Sequence, residues 1–357
     1  MSHSLSPVAP LAAPFDREGL EDVGFMTCMT LVLLGNYAQT GHFGGPLAYT
    51  PLNVAAHLAG PELGGMRYDY RRPKHPFGDK FMLAGGHNVP TGYALWMIMG
   101  QALERKFKAT GDKRYFADPH SAILPIDALG FRRGAGALKT LLSAQGLSDH
   151  PLFAQAKARG IKSLAGHAES VDVTNDVNGG PSGIGIATAA GKAAFWNLVG
   201  APASPKVIAL EGEFAMTEGH AQELKTQALS LQVGKRLRMF LSYNNAGIDD
   251  VLLGGVVPAK FTGYDLVEQW TSFGWNVFAI DDGADYAQIV AALKTMEEWD
   301  PADRRPMIVI ATTTKGYWPA AVGGMIPGGG PQLVSYQSHP YGLKMNSDYF
   351  VALARTF

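Results

Sequence analysis

Val207-Ile208-Ala209-Leu210-Glu211-Gly212-Glu213 is a short apolar run that ends on a glycine and a carboxylate. Four consecutive apolar residues bounded in this way read as a strand buried on both faces. A helical stretch, Glu218 to Val233, follows it, and Arg238 to Tyr243 reads as the next strand. The alternation then continues, with a helix over Tyr264 to Phe273 and a strand over Trp275 to Ile280. A helix over Tyr286 to Glu297 and a strand over Met307 to Ala311 complete it. Strands alternating with helices predict an α/β fold, a parallel sheet with helices on both faces.

Upstream the same punctuation applies. Residues 1–18, rich in Ser, Pro and Ala, read as an extended arm, and residues 19–357 as one domain. A helix is expected over Leu20 to Tyr37, then a loop, Gly41-His42-Phe43-Gly44-Gly45-Pro46. Thr50 and Pro51 read as the N-cap and first turn of a helix over Leu52 to Leu58. Lys80 to Ala84 is a short strand ending on Gly85-Gly86-His87, and a helix follows from Thr91 to Ala109. The stretch from Thr110 to Asp149 is irregular. A glycine-rich loop, Asn178 to Gly183, opens a small-residue helix over Ile184 to Leu198. The tail from Asn346 or Ser347 reads as a helix without a C-cap signal, which points to a chain cut from something longer.

Composition mainly excludes. A net charge of −1 offers no basic face for nucleic acid. The single cysteine, Cys28, rules out a disulfide framework and fits a reducing compartment. The N-terminus lacks a basic region followed by an apolar core, and Phe25 to Leu34 is too short an apolar run to span a bilayer. A cytoplasmic protein with no membrane partner is the expectation. The 43 glycines exceed the usual share and suggest loops that approach a ligand closely.

In a parallel sheet, Glu213 and Asn244 both follow strands and fall at the carboxyl edge, where open α/β folds bind ligands. A carboxylate, an amide oxygen and a backbone carbonyl are hard donors suited to Mg²⁺ or Ca²⁺. Taken alone, Glu213 reads more readily as a solvated turn residue and Asn244 as a polar strand end, since short motifs are weak. His42, His87, His167 and His339 stand in polar or Gly-flanked loops, the residue type that moves protons or binds anions near neutral pH. Asn178 to Gly183, ahead of a helix, is either an anion-binding N-terminus or a plain entry turn. Sulfur metal sites, a nucleophile elbow, a Walker loop and a dinucleotide fingerprint are absent.

The order of these motifs carries more than any one of them. A Gly-His-x-Gly-x-Pro loop at Gly41 precedes Asp79 to His87, then Gly166-His167-Ala168-Glu169. Gly180 to Ala187, Gly212 to Gly219, Asn244 to Asp249, Ala311 to Gly316 and Ser338-His339 follow in turn. The series, from about Leu20 onward, closely resembles the N-terminal, diphosphate-binding domain of transketolases, which use thiamine diphosphate. The resemblance implies that Glu213, Asn244 and the Ala246 carbonyl hold magnesium. It implies that Gly180, Ser182, Gly183 and Gly212 lie along the cofactor, and that His87 and His167 stand near the diphosphate and thiazolium. His42 and His339 would face the substrate's hydroxyls and carbonyl, and Glu218 would reach across a subunit interface.

The reaction so implied is transfer of a two-carbon ketol unit from a ketose to an aldose. In the family a second, pyrimidine-binding domain completes the site across a dimer interface. The chain is therefore expected to be a split subunit or fragment acting in a homo-dimer or hetero-tetramer on sugar or sugar-phosphate substrates. The family's Gly-Asp-Gly stands here as Gly212-Glu213-Phe214, which lengthens the carboxylate arm and fills a position where backbone approaches the diphosphate. Two other readings share the domain, the first component of a 2-oxo acid dehydrogenase and a degenerate, non-catalytic scaffold.

Overall fold

The computed structural model describes residues 5–132, 151–202, 205–244, 246, 265–319, 347–348, 350–351 and 355. Its centre is a sheet of five parallel strands, β1 (Lys80–Leu83), β2 (Val207–Gly212), β3 (Leu237–Tyr243), β4 (Asn276–Ile280) and β5 (Met307–Thr312). Their spatial order is β1-β2-β3-β5-β4. Register is continuous across the middle, with Val207 beside Leu237 and Lys80, and Arg238 beside Met307. Every residue from Val207 to Glu211 is buried, as expected for a strand covered on both sides.

Side-chain alternation divides the core in two. Val207, Ala209, Met239, Leu241, Val277 and Ile308 belong to one apolar cluster, and Ile208, Leu210, Phe240, Phe278 and Val309 to the other. Helices α5 (Ile184–Leu198), α6 (Gly219–Ser230) and α7 (Leu266–Ser272) contribute to the first. Helices α2 (Gly44–Leu58) and α8 (Tyr286–Glu298) cover the second. Helices α1 (Arg17–Ala38) and α3 (Val89–Thr110) pack on each other and on α2, and bury Leu31, Leu34, Tyr93 and Trp96 in the first cluster. Each such side chain contributes about 1.5–3 kcal/mol by leaving water. The expected α/β architecture with helices on both faces is what the chain adopts.

Two helices differ from expectation. Helix α2 starts at Gly44, ahead of the Thr50–Pro51 start predicted from sequence, and Pro51 lies inside it. Pro46 already supplies the fixed φ suited to a first turn. The Thr50 hydroxyl donates to the Pro46 carbonyl at 2.9 Å, and burial along nearly the whole helix offsets the bond that Pro51 cannot make. A helix over Pro151–Arg159, α4, lies beyond the stretch read as irregular and was not predicted. Of the expected C-terminal helix, Asp348, Phe350 and Val351 are helical, and most of the rest lies outside the described residues. Among the described residues no helix is long and apolar enough to cross a membrane.

The amino ends of the strands are closed by ions. Lys206 Nζ lies 2.9 Å from Glu297 and 3.4 Å from Asp79, and Arg238 Nη1 lies 2.9 Å from Glu297. The carboxyl ends open instead into a cavity.

Candidate active site

The cavity measures about 230 Å³, and its walls come from the segments that follow β1, β2, β3 and β5, together with the start of α2. His42, His87, His167, Ser182, Gly212, Glu213, Asn244 and Ala246 all line it. These residues span more than two hundred positions of sequence, and backbone contacts bring them together. The Ala168 amide donates to the Gly86 carbonyl at 2.9 Å, and the Gly179 amide donates to the Ala168 carbonyl at 2.9 Å. The loops bearing His87, His167 and Ser182 are thereby stitched into one wall. Gly183 enters α5 with φ +78°, a conformation that favours glycine.

Three imidazoles gather at one side. The His42 ring stands 5.2 Å from that of His87 and 5.6 Å from that of His167, each edge to face. Burial, then the fields of His167, Arg132 and Lys315, push His42 down to about 4. His167 is lowered by burial and by Arg132. The His42 ring is therefore neutral at neutral pH.

The floor carries two buried carboxyl groups. Glu213 opens the short turn after β2 and is buried, and its Oε1 accepts from the Ala246 amide at 3.3 Å. Asn244, immediately after β3, places Oδ1 3.1 Å from the same amide. Burial pushes Glu213 up to about 7, against backbone hydrogen bonds and the charge of Lys315. Glu211 is buried beside it and is pushed up to about 8 by burial and by Glu213, against a hydrogen bond from the Gly212 amide. Glu211 Oε2 and Asn88 Oδ1 are buried without a hydrogen-bond partner among the described residues, although both residues line the cavity. Such acceptors call for a donor, a water or a cation.

The side-chain oxygens of Glu213 and Asn244 meet at the Ala246 amide, and a carboxylate, an amide oxygen and the Ala246 carbonyl are oxygen types that fit Mg²⁺ or Ca²⁺. No cluster of three or more His, Cys, Asp or Glu suited to a metal occurs among the described residues, so a cation here would rely on this mixed set. All three already have a protein donor, since Glu213 and Asn244 accept from the Ala246 amide and Lys315 Nζ donates to the Ala246 carbonyl at 2.9 Å. Sites for whole drug-sized ligands usually exceed about 300 Å³, so the cavity suits the diphosphate end of a larger cofactor.

Not every predicted residue reaches the cavity. Gly180 is exposed and sits in the loop before α5, outside the lining. Gly183 and Glu218 are neighbours, a Cβ on Gly183 falling 2.9 Å from that of Glu218, but neither lines the cavity and Glu218 is exposed at the start of α6. His339 lies outside the described residues. Conversely, Tyr49, Asn88, Glu211 and Lys315 line the cavity without having been singled out. Glu211 carried a signal, a carboxylate inside an apolar strand.

Comparison with known proteins agrees in direction. The family model described as transketolase, thiamine diphosphate binding domain, matches residues 138–334, more than half of the chain. A transketolase of Cereibacter sphaeroides is 27% identical over 285 residues, covering 78% of this chain and 34% of that protein. One from Streptococcus pyogenes serotype M6 is 28% identical over 159 residues, covering 42% and 20% respectively. Transketolase from Leishmania mexicana superposes with a TM-score of 0.62 at 20% identity, over 94% of this chain and 44% of that one. The Campylobacter jejuni transketolase structure gives 0.63 at 18% identity, over 96% and 46%. These structures share the fold, and the chain spans less than half the length of each relative.

Proposed function

Because the chain belongs to the family of transketolase thiamine diphosphate binding domains, we propose that it is the diphosphate-binding part of a transketolase-like enzyme. That enzyme moves a two-carbon ketol unit from a ketose to an aldose. The observation that carries the reading is the convergence of His42, His87, His167, Ser182, Glu213 and Asn244 on one cavity at the carboxyl edge of the sheet. When bound, thiamine diphosphate supplies stabilisation of the carbanion left by carbon–carbon bond cleavage.

The chain's own residues bind, orient and move protons. Glu213, Asn244 and the Ala246 carbonyl would hold a divalent cation against the diphosphate. Gly180, Ser182, Gly183 and Gly212 would lie along the cofactor, with His87 and His167 close to its diphosphate and ring. Neutral His42 accepts a proton from a substrate hydroxyl, the role assigned jointly to His339. Glu218, exposed, would reach a second subunit. A pyrimidine-binding domain, in the same polypeptide or another, completes the site in a homo-dimer or hetero-tetramer.

Combining the chain with its pyrimidine-binding partner and assaying ketose cleavage beside 2-oxo acid decarboxylation tests the reaction. Ketol transfer alone supports the proposal. Decarboxylation alone assigns the 2-oxo acid dehydrogenase reading, and neither activity in a complex that binds cofactor assigns the scaffold.

A further inference from the structure

Glu211 and Asn88 are 2% and 1% exposed, yet each keeps an acceptor, Oε2 and Oδ1, that no donor reaches among the described residues. Both residues line the cavity. A buried carboxylate is costly unless its charge is answered, and Glu213 beside it adds charge of the same sign.

Glycines seat these groups. A Cβ on Gly85 would lie 2.7 Å from Glu211 Oε1 and 2.8 Å from Asn88 Nδ2, so the carboxyl and the amide share the space that a side chain would fill. A Cβ on Gly45 would run into Asn88 Oδ1, and one on Gly212 would lie 3.1 Å from the Tyr49 hydroxyl. The Gly212 amide donates to Glu211 Oε1 at 2.9 Å, which fixes the carboxyl and leaves Oε2 over. Tyr49 lines the same cavity. A carboxyl, an amide and a phenol hydroxyl thus converge on the floor from the end of β2, the start of α3 and α2.

We propose that Glu211, Asn88 and Tyr49 hold a monovalent cation in the floor of the cavity, a site separate from the one at Glu213, Asn244 and Ala246. Carboxylate, amide and hydroxyl oxygens suit hard cations. The set carries one formal negative charge, which matches an ion of charge +1, whereas tight divalent sites gather more carboxylates. Water or a ligand oxygen in the cavity completes the shell. The cation offsets a Glu211 charge that would otherwise repel an anion. That consequence rests on the diphosphate reading above, and the cation site itself does not.

Thermal unfolding of the full chain without cofactor, in potassium or sodium chloride against tetramethylammonium chloride at equal ionic strength, tests this. Wild type is expected to gain about 2–4 °C, saturating with potassium or sodium, since an ion at about ten-fold or more above its Kd stabilises the folded chain that binds it. Glu211→Gln keeps the shape of the side chain and is expected to lose that gain. A wild type that melts at the same temperature in all three salts overturns the inference, whether or not the variant folds. A gain that folded Glu211→Gln keeps in full also overturns it. Calorimetric titration with thiamine diphosphate in the same salts keeps the two readings apart. A saturable gain in a chain that binds no thiamine diphosphate supports the cation site and removes the cofactor reading alone.

Discussion

A Cβ on Gly86 would lie 1.8 Å from the carbonyl oxygen of Gly179. The loop after β1 and the loop before α5 therefore meet backbone to backbone, and this contact holds His87 on the same wall as Ser182. No flexible side chain stands between them to give way.

Gly86→Ala is accordingly expected to destabilise the fold by about 1–3 kcal/mol, in the range of overpacking in a close-packed interior. Urea unfolding reads that cost. The same variant should weaken thiamine diphosphate binding, because relief of the clash separates the loops. Unchanged stability and affinity would show that the loops move apart freely.

At the opposite edge of the sheet, Glu297 answers two buried cations, with side-chain exposures of only 2% for Lys206 and 2% for Arg238. Burial opposes ionisation, but Arg238 and Lys206 together hold the Glu297 carboxyl down at about 2. Glu297→Gln leaves both cations short of charge, and a loss of about 3–5 kcal/mol in urea unfolding is expected at neutral pH. The folded pKa is below the unfolded one, so this contribution is present above about 4.5 and lost as pH falls towards 2. The difference between wild type and variant should shrink across that window.

His57 gives an independent pH signal. It is buried in α2 against Phe81, ring centroids 4.4 Å apart, and its Nδ1–H donates to the Asn53 carbonyl at 2.9 Å. Burial pushes it from 6.5 down to about 4, with the Asn53 carbonyl acting in the opposite sense. Between those values the unfolded chain binds a proton that the folded chain does not, so stability rises with pH and is complete above 6.5. The contribution is on the order of 3 kcal/mol. Unfolding free energies measured from pH 4 to 7 should slope less in His57→Gln than in wild type.

His42→Ala separates chemistry from binding. In the assembled enzyme kcat should fall by about a hundred-fold or more, the usual worth of a positioned proton acceptor. Thiamine diphosphate affinity, read by calorimetry on the same variant, should change little. A loss of affinity with kcat preserved would make His42 a cofactor contact instead.

The sheet was legible because buried parallel strands are short apolar runs with glycine or polar ends, and all five were placed within a residue or two. The helix Ile184–Leu198 was read at its observed bounds for a similar reason, since Gly183 marks its entry. Helix α2 was misread at its start because Pro51, normally a first-turn residue, is carried inside a helix whose burial outweighs the lost bond. Within the site, His42, His87, His167, Glu213 and Asn244 were legible from loop and strand-end positions. Lys315 and Tyr49 were not, since a lysine in a polar turn and a tyrosine in an apolar helix show nothing of the cavity that they enter. Their placement depends on α2 folding against the ends of β2 and β5, a contact between segments far apart in sequence.

The central claim is that the cavity holds the diphosphate of thiamine diphosphate. Calorimetric titration of the full chain with thiamine diphosphate and magnesium, competed by inorganic pyrophosphate, measures it directly. The account predicts one saturable site per chain with Kd below about 1 mM, displaced by pyrophosphate and weakened about ten-fold or more in Asn244→Ala. A folded chain that gives no saturable heat at millimolar cofactor, or whose binding pyrophosphate and Asn244→Ala leave unchanged, would contradict it.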